Sequence, residues 1–286
     1  MTKKTIAMLH PGEMGAAVGA CLVTAGHRVV WASSGRSAST RARAKAAGLE
    51  DLSTLARAVE EAEVVFSVCP PHGALDLATE VAELGFDGLY IDGNAISPDT
   101  AREVGASVEA AHARFVDGGL LGPAPLKAGT TRFYLSGPKA KEVAALFEGS
   151  FVKAIALDGP VGAASALKVC YAAWNKGSIA LITAVRALAL HEGVDDALMD
   201  VWQHNVPEIA KRSEAITTQA RKAWRWIGEM DEIAGSFEAA GLPGGFHFAA
   251  AEIYGRLEGF KEAPEPPVMA DILNAVAAVA AVAKGA

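Results

Sequence analysis

The sequence predicts an α/β protein in two parts: a doubly wound, mostly parallel sheet over residues 1–157, then an all-helical domain over residues 158–286. Two observations carry this. Before Asp158, short β-type apolar runs alternate with helical patterns, as a parallel sheet with crossover helices requires. After it, nearly everything repeats at helical spacing, and Gly159, Pro160 and Gly162 punctuate the boundary.

In chain order, TIAML (residues 5–9) is a strand and residues 14–25 a helix with Gly26 as its C-cap. HRVVWA (27–32) is a strand, followed by helices over 39–47 and 52–61. EVVFSVC (63–69) is a buried strand closed by Pro70 and Pro71; a helix over 74–84 and the strand GLYIDG (88–93) follow. Ser97 and Pro98 start another helix, with proline at its tolerated first position. Strands are expected at 114–118 and 131–136. A hinge helix begins near Val161, and further helices cover 178–191, 195–202, 207–226, 230–240, 246–260 and 270–286.

The composition bounds function. The 286 residues are long enough for two domains, and 51% hydrophobic with 21% charged describes a globular chain. A net charge of −7 without a basic block argues against nucleic acid as a partner. Cys21, Cys69 and Cys170 are scattered, which fits reduced thiols in a cytoplasm and offers no metal spacing. Lys3 and Lys4 precede too short an apolar run for a signal peptide, and Asp271, Asn274 and Lys284 interrupt the terminal apolar stretch, so no membrane span is expected.

Between the first strand and first helix lies HPGEMGAAVG, residues 10–19. Glycines at 12 and 15 let the backbone approach a pyrophosphate seated on the helix N-terminus, where N–H groups and the dipole favour anions; Pro11, Gly12, Glu13 and Met14 would form this contact. The pattern is that of a Rossmann dinucleotide site with His10 in place of the first glycine; a generic glycine turn is the bland alternative. After the second strand, WASSGRSASTRAR lacks the carboxylate that would hold the ribose hydroxyls of NAD. Ser33, Ser34, Arg36 and Ser37 can instead surround a 2′-phosphate, so NADP is expected rather than NAD.

Lys168 is the one cation in a long apolar run, flanked by Leu167, Val169 and Cys170. A helix places Tyr171, Ala172 and Asn175 on its face, at offsets of three, four and seven. Such a lysine either snorkels to water or points into a polar cleft, which would lie between the two halves.

Taken in order, GEMG (12–15), Pro70-Pro71, IDGNAISP (91–98), DGGLLGPAPLKAGTTRFYLSG (117–137) and GPVGAASALK (159–168) resemble the β-hydroxyacid dehydrogenase family. That family includes 3-hydroxyisobutyrate and 6-phosphogluconate dehydrogenases and, more distantly, imine reductases. GEMDEIA and AGLPGGFH resemble a poorly characterised branch of it. The resemblance implies that Lys168 is the general acid/base, losing or donating the hydroxyl proton that accompanies hydride transfer. It implies cofactor contacts at Cys69, Pro70 and Asn94, and a substrate contact for Asn175, which lies two turns after the lysine where the family places its asparagine one turn on; Tyr171 is expected to take part of that role.

Where relatives of small-hydroxyacid specificity carry Ser-Gly-Gly, this chain has Leu121, Gly122 and Pro123, which removes a hydroxyl and an N–H. A bulkier or less acidic substrate is expected, or a carboxylate held by Lys127. His247 is a pocket candidate, and Trp174, Trp202, Trp224 and Trp226 line either a pocket or the core. The expected activity is NADP-dependent hydride transfer at a hydroxyl or carbonyl carbon; imine reduction and non-catalytic NADP binding are the alternatives. Uncharged faces at 179–190 and 275–282 predict a homodimer.

Overall fold

A computed structural model describes residues 3–261 and 263–277. The chain divides into two compact units, residues 1–169 and 170–286. The far end of the expected terminal helix, 278–286, lies outside the described residues.

The first unit is built on one eight-stranded sheet in the order β3-β2-β1-β4-β5-β6-β7-β8. Its strands are β1 (Thr5–Leu9), β2 (Arg28–Trp31), β3 (Glu50–Asp51), β4 (Val64–Ser67), β5 (Leu89–Asp92), β6 (Arg114–Leu121), β7 (Thr131–Ser136) and β8 (Val152–Ala156). Pairing is parallel except between β6 and β7. The helices between strands are α1 (Glu13–Thr24), α2 (Ala38–Ala46), α3 (Leu55–Glu60), α4 (Ala74–Glu83), α5 (Pro98–Ala110) and α6 (Ala140–Ala145).

Strand alternation explains why helices cover both faces. Ile6 and Met8 join one apolar cluster with Val18, Leu22, Phe66 and Phe133. Their neighbours Ala7 and Leu9 join another with Val65, Tyr90, Leu77, Val81 and Phe115. Phe66 stacks on Phe133 at 5.4 Å and meets Phe147 edge-on at 6.2 Å. Truncating Phe66 to alanine would cost about 3–5 kcal/mol. The strand order reverses between β1 and β4, so their carboxyl ends open the crevice where such sheets bind ligands.

α7 (Ala163–His191) begins in the first unit and continues into the second as one 29-residue helix. The hinge helix and the helix expected separately over 178–191 are therefore continuous. The run is rich in alanine, the strongest helix former, and His247 Nε2 lies 3.4 Å from where a Cβ on the mid-helix Gly177 would stand.

The second unit continues with α8 (Asp195–Asn205), α9 (Pro207–Ser213), α10 (Ala215–Gln219), α11 (Ile227–Ala239), α12 (Gly245–Gly255) and α13 (Met269–Ala277). The single helix expected over 207–226 is broken into α9, α10 and a 3-10 stretch over 220–226. Ser213, Thr217 and Thr218 donate to carbonyls three residues earlier (2.7, 2.7 and 3.0 Å), which tightens the turns. Arg186 grips Asp195 through two bonds of 3.0 and 2.6 Å, and Tyr254 donates 2.6 Å to the Lys176 carbonyl. β3, β8 and α6 are not among the elements expected from the sequence; β8 is an edge strand and mostly half-buried, so its apolar signal is weak.

Candidate active site

The turn after β1 brings the first group of residues together. His10 adopts the left-handed backbone (φ 63°), and its carbonyl accepts from Gly12 N–H at 2.7 Å. Gly12 is the N-cap of α1 without a side-chain cap, so the N–H groups of the first turn are left for an anion. The two glycines differ in purpose. A Cβ on Gly15 would stand 2.5 Å from the His10 carbonyl oxygen, whereas one on Gly12 would meet nothing within 4 Å. Gly15 is required by packing; Gly12 leaves a cradle that a side chain would fill.

Beside the turn lies a cavity of about 450 Å³ lined by His10, Ser34, Arg36, Thr54, Asp76 and Glu80, among others. Of the four residues expected around a 2′-phosphate, Ser34 and Arg36 line it. Ser33 is buried, with its hydroxyl accepting from Arg41 at 3.4 Å, and Ser37 caps α2 by accepting from Thr40 N–H. β3 brings Asp51 beside this loop, which the linear sequence did not suggest. Its Oδ1 accepts from Ser53 N–H at 2.8 Å. Buried Nδ1 of His10 has no hydrogen-bond partner among the described residues. Burial and the Arg36 charge lower its pKa to about 4. The open cradle at Gly12 and the guanidinium of Arg36 fit a dinucleotide.

A second group forms across the carboxyl ends of the central strands. Ser67, Asp92, Asp117 and Ser136 occupy one register row through β4, β5, β6 and β7, and all four are fully buried. Asp117 accepts from Ser136 Oγ (2.7 Å), from the backbone N–H groups of Gly162, Ala164 and Ser165 (3.0, 3.0 and 3.1 Å) and from Ser165 Oγ (2.6 Å). A carboxylate from β6 thus caps α7, complementing its N-terminal dipole. Gly119 lets the two elements approach, since a Cβ there would lie 2.7 Å from the Ala164 carbonyl oxygen and 3.2 Å from Lys168 Cβ.

Capped in this way, α7 sets Lys168 in its second turn. Nζ donates to the Asn94 carbonyl oxygen at 3.4 Å. Asn94 is itself held on four sides. Its N–H and Nδ2 donate to Asp92 at 2.8 and 2.7 Å, Nδ2 also reaches Ser67 Oγ at 3.1 Å, and Oδ1 accepts from Cys69 N–H at 2.6 Å. Burial raises the Asp92 pKa to about 7, and Asp117 adds to the shift, against the opposing bonds from Asn94 and the charge of Lys168. The Cys69 thiol is pushed up to about 11, chiefly by burial, so it is not a ready nucleophile. Pro70 precedes the 3-10 turn Pro71–Gly73 on the same rim.

At the end of β6, Leu121 is half-buried and Pro123 exposed, with the Pro123 carbonyl taken by Thr131 Oγ1 at 2.6 Å. Gly122 (φ 112°) is obligatory, because a Cβ would meet the Thr130 carbonyl oxygen at 2.3 Å. Lys127 is exposed.

Tyr171, Asn175 and His247 belong to the second unit. Asn175 Nδ2 donates to the Tyr171 carbonyl at 3.0 Å, and Arg212 Nη2 donates to the Asn175 carbonyl and Oδ1 at 2.9 and 3.3 Å, a partner the sequence did not reveal. His247 is buried against Phe237, ring centroids 4.5 Å apart, and burial lowers its pKa against an opposing backbone bond at Ala173. It lines an apolar groove of about 810 Å³ with Trp174, Leu181, Phe237, Phe246 and Ile253. Among the described residues no group of three or more His, Cys, Asp or Glu is placed to hold a metal, and no helix is long and apolar enough to cross a membrane.

Residues 5–148, half of the chain, match the family model of the NAD-binding domain of 6-phosphogluconate dehydrogenase. Residues 189–257 match a domain of unknown function. An uncharacterised 28.5 kDa protein of Methanothermus fervidus is 28% identical over 169 residues, which span 59% of this chain and 64% of that protein, less than two thirds of its length. The 3-hydroxyisobutyrate dehydrogenase of Mycobacterium tuberculosis, solved with L-serine, superposes with a TM-score of 0.69 at 24% identity over 96% of this chain and 99% of that one. An imine reductase of Streptomyces aurantiacus gives a TM-score of 0.56 at 17% identity over 95% and 99% of the respective chains.

Proposed function

The chain belongs to the family of the 6-phosphogluconate dehydrogenase NAD-binding domain, a family of NAD(P)-dependent oxidoreductases, and from that premise we propose that it moves a hydride between NADP and a hydroxyl or carbonyl carbon, with Lys168 as general acid/base. The observation that carries this reading is the seating of Lys168. Its amine lies at the carboxyl end of β5, 3.4 Å from the carbonyl of a buried, fully bonded asparagine. A side chain oriented from both ends in this way is preorganised for proton transfer.

When bound, the coenzyme supplies the hydride acceptor or donor. Gly12 and the first turn of α1 would hold its pyrophosphate, and Arg36 with Ser34 its 2′-phosphate. Lys168 Nζ accepts the proton that a substrate hydroxyl loses on oxidation and returns it to the carbonyl oxygen on reduction. Asn94 keeps the amine at that position. Leu121 and Pro123 offer a substrate no side-chain donor, which favours a substrate bulkier or less acidic than a small hydroxyacid. The three cysteines are free, and we place the protein in the cytoplasm as a homodimer.

A second reading, imine reduction, is favoured by the same Leu121 and Pro123, whose lack of side-chain donors suits an apolar substrate. Lys168→Ala separates the two. Alcohol oxidation should fall by about three orders of magnitude with the NADP+ dissociation constant unchanged, while imine reduction should survive. Tight NADPH binding without turnover of any alcohol, carbonyl or imine by the wild type would leave only a nucleotide-binding protein.

A further inference from the structure

His10 occupies the place of the fingerprint's first glycine and keeps the left-handed backbone that glycine adopts freely. His10 lines the coenzyme cavity with Ser34, Arg36 and Thr54, and its enclosed Nδ1 has no hydrogen-bond partner among the described residues. Burial and Arg36 hold the ring neutral at pH 7, with a pKa of about 4. The other titratable groups on the cavity are Asp76 and Glu80, both exposed on α4; Glu13 opens α1, and the high-pKa Cys69 thiol ends the run after β4.

We propose that His10 takes up a proton when the 2′-phosphate of NADP binds beside Arg36, so that coenzyme affinity is coupled to pH through this one side chain. The inference rests on the NADP reading above. A phosphate monoester brings about −1.5 to −2 charge and only acceptor oxygens at its outer face. Burial is the larger cause of the neutral imidazole and the Arg36 charge the smaller. The phosphate offsets that charge, and its own charge favours the imidazolium. A neutral imidazole offers one N–H and one lone pair, and the lone pair repels a phosphate oxygen; the imidazolium offers two donors. A ribose 2′-hydroxyl, in contrast, can donate to the lone pair and needs no proton. His10 therefore discriminates between the two coenzymes by protonation.

The test is titration calorimetry of the full-length protein with NADP+ and NAD+, in two buffers of different ionisation enthalpy. The variant is His10→Gly, which restores the fingerprint residue at a φ glycine favours and so keeps the fold. At pH 6.5 the wild type should take up about half a proton more per NADP+ than His10→Gly, with no difference for NAD+. The phosphate's own ionisation, with a pKa of about 6, is common to both proteins and cancels. Between pH 6 and 8 the wild type should lose about fivefold more NADP+ affinity than the variant. Equal proton uptake, with NADP+ still preferred, overturns the role of His10 and leaves the NADP reading standing. Tighter binding of NAD+ than NADP+ overturns both.

Discussion

Asp92 accepts two hydrogen bonds from Asn94, one from its backbone N–H at 2.8 Å and one from its side-chain amide at 2.7 Å. The pair forms a closed, fully buried clamp, and the clamped residue presents the carbonyl that Lys168 approaches. Position of the amine is thus linked to a carboxyl group that is costly to ionise where it sits.

That cost gives a pH signature. The Asp92 pKa is about 7 in the folded protein against an ordinary 3.8, mainly because of burial. Between these values the folded chain holds a proton that the unfolded chain has lost, so the contribution to stability falls as pH rises from about 4 to 7. The shift corresponds to a loss on the order of 4 kcal/mol across that window. Asp92→Asn removes the titration and places an amide against the Asn94 amide, a penalty that does not vary with pH. Chemical denaturation at pH 4.5, 6.0 and 7.5 should show the wild type's advantage over Asp92→Asn shrinking by several kcal/mol as pH rises. A pH-independent difference between the two proteins excludes the titration.

The two glycines of the first turn should respond differently. Gly15→Ala drives a methyl against the His10 carbonyl and should cost about 2 kcal/mol of stability. Gly12→Ala meets open space, so thermal unfolding should be nearly unchanged while NADP+ affinity drops by about tenfold or more. Equal destabilisation by both substitutions would assign Gly12 to packing and not to the ligand.

Much of this arrangement was legible in the sequence, for definite reasons. The unbroken apolar run at Ile6 to Leu9 and the glycine turn after it report the sheet and its crevice locally. Lys168 stood out because a charge in an apolar helical run needs a destination. Asp92 and Asp117 did not stand out, because the groups that satisfy Asp117 lie as far as 48 residues away and an aspartate closing a strand looks like a turn residue. The break within 207–226 was hidden for the opposite reason: Ser213, Thr217 and Thr218 bend the backbone through bonds to carbonyls that leave apolar spacing intact. Arg212 gave no signal at all, since its partner is a helix carbonyl and an amide on α7.

Coenzyme preference should be carried by Arg36, which lines the cavity from the loop after β2. A charge-assisted bond to a phosphate contributes about 1.5–3 kcal/mol, so Arg36→Ala should weaken NADP+ binding about ten- to a hundredfold. NAD+ affinity should barely move. Fluorescence titration with both reduced coenzymes reads the ratio directly, and parallel loss of both affinities would make Arg36 a structural residue.

One face of α7 carries Trp174, Leu181, Val185 and Leu188, at spacings of seven, four and three, which places them along a single stripe. In the single chain these side chains are 70%, 62%, 36% and 62% exposed, and Phe246 on α12 is 76% exposed beside the same groove. Exposed apolar surface of this extent is the mark of an interaction site. A second copy is the occupant we propose, because a self-complementary contact through a two-fold axis needs only one such stripe. Light scattering at micromolar concentration should return twice the 29.5 kDa chain mass. Introducing a charge with Leu181→Glu should give monomers, because burying an unpaired carboxylate costs several kcal/mol, while an equivalent charge at the exposed Leu126 of the first unit should leave the dimer intact. A monomeric wild type would leave the stripe to some other occupant and remove the homodimer.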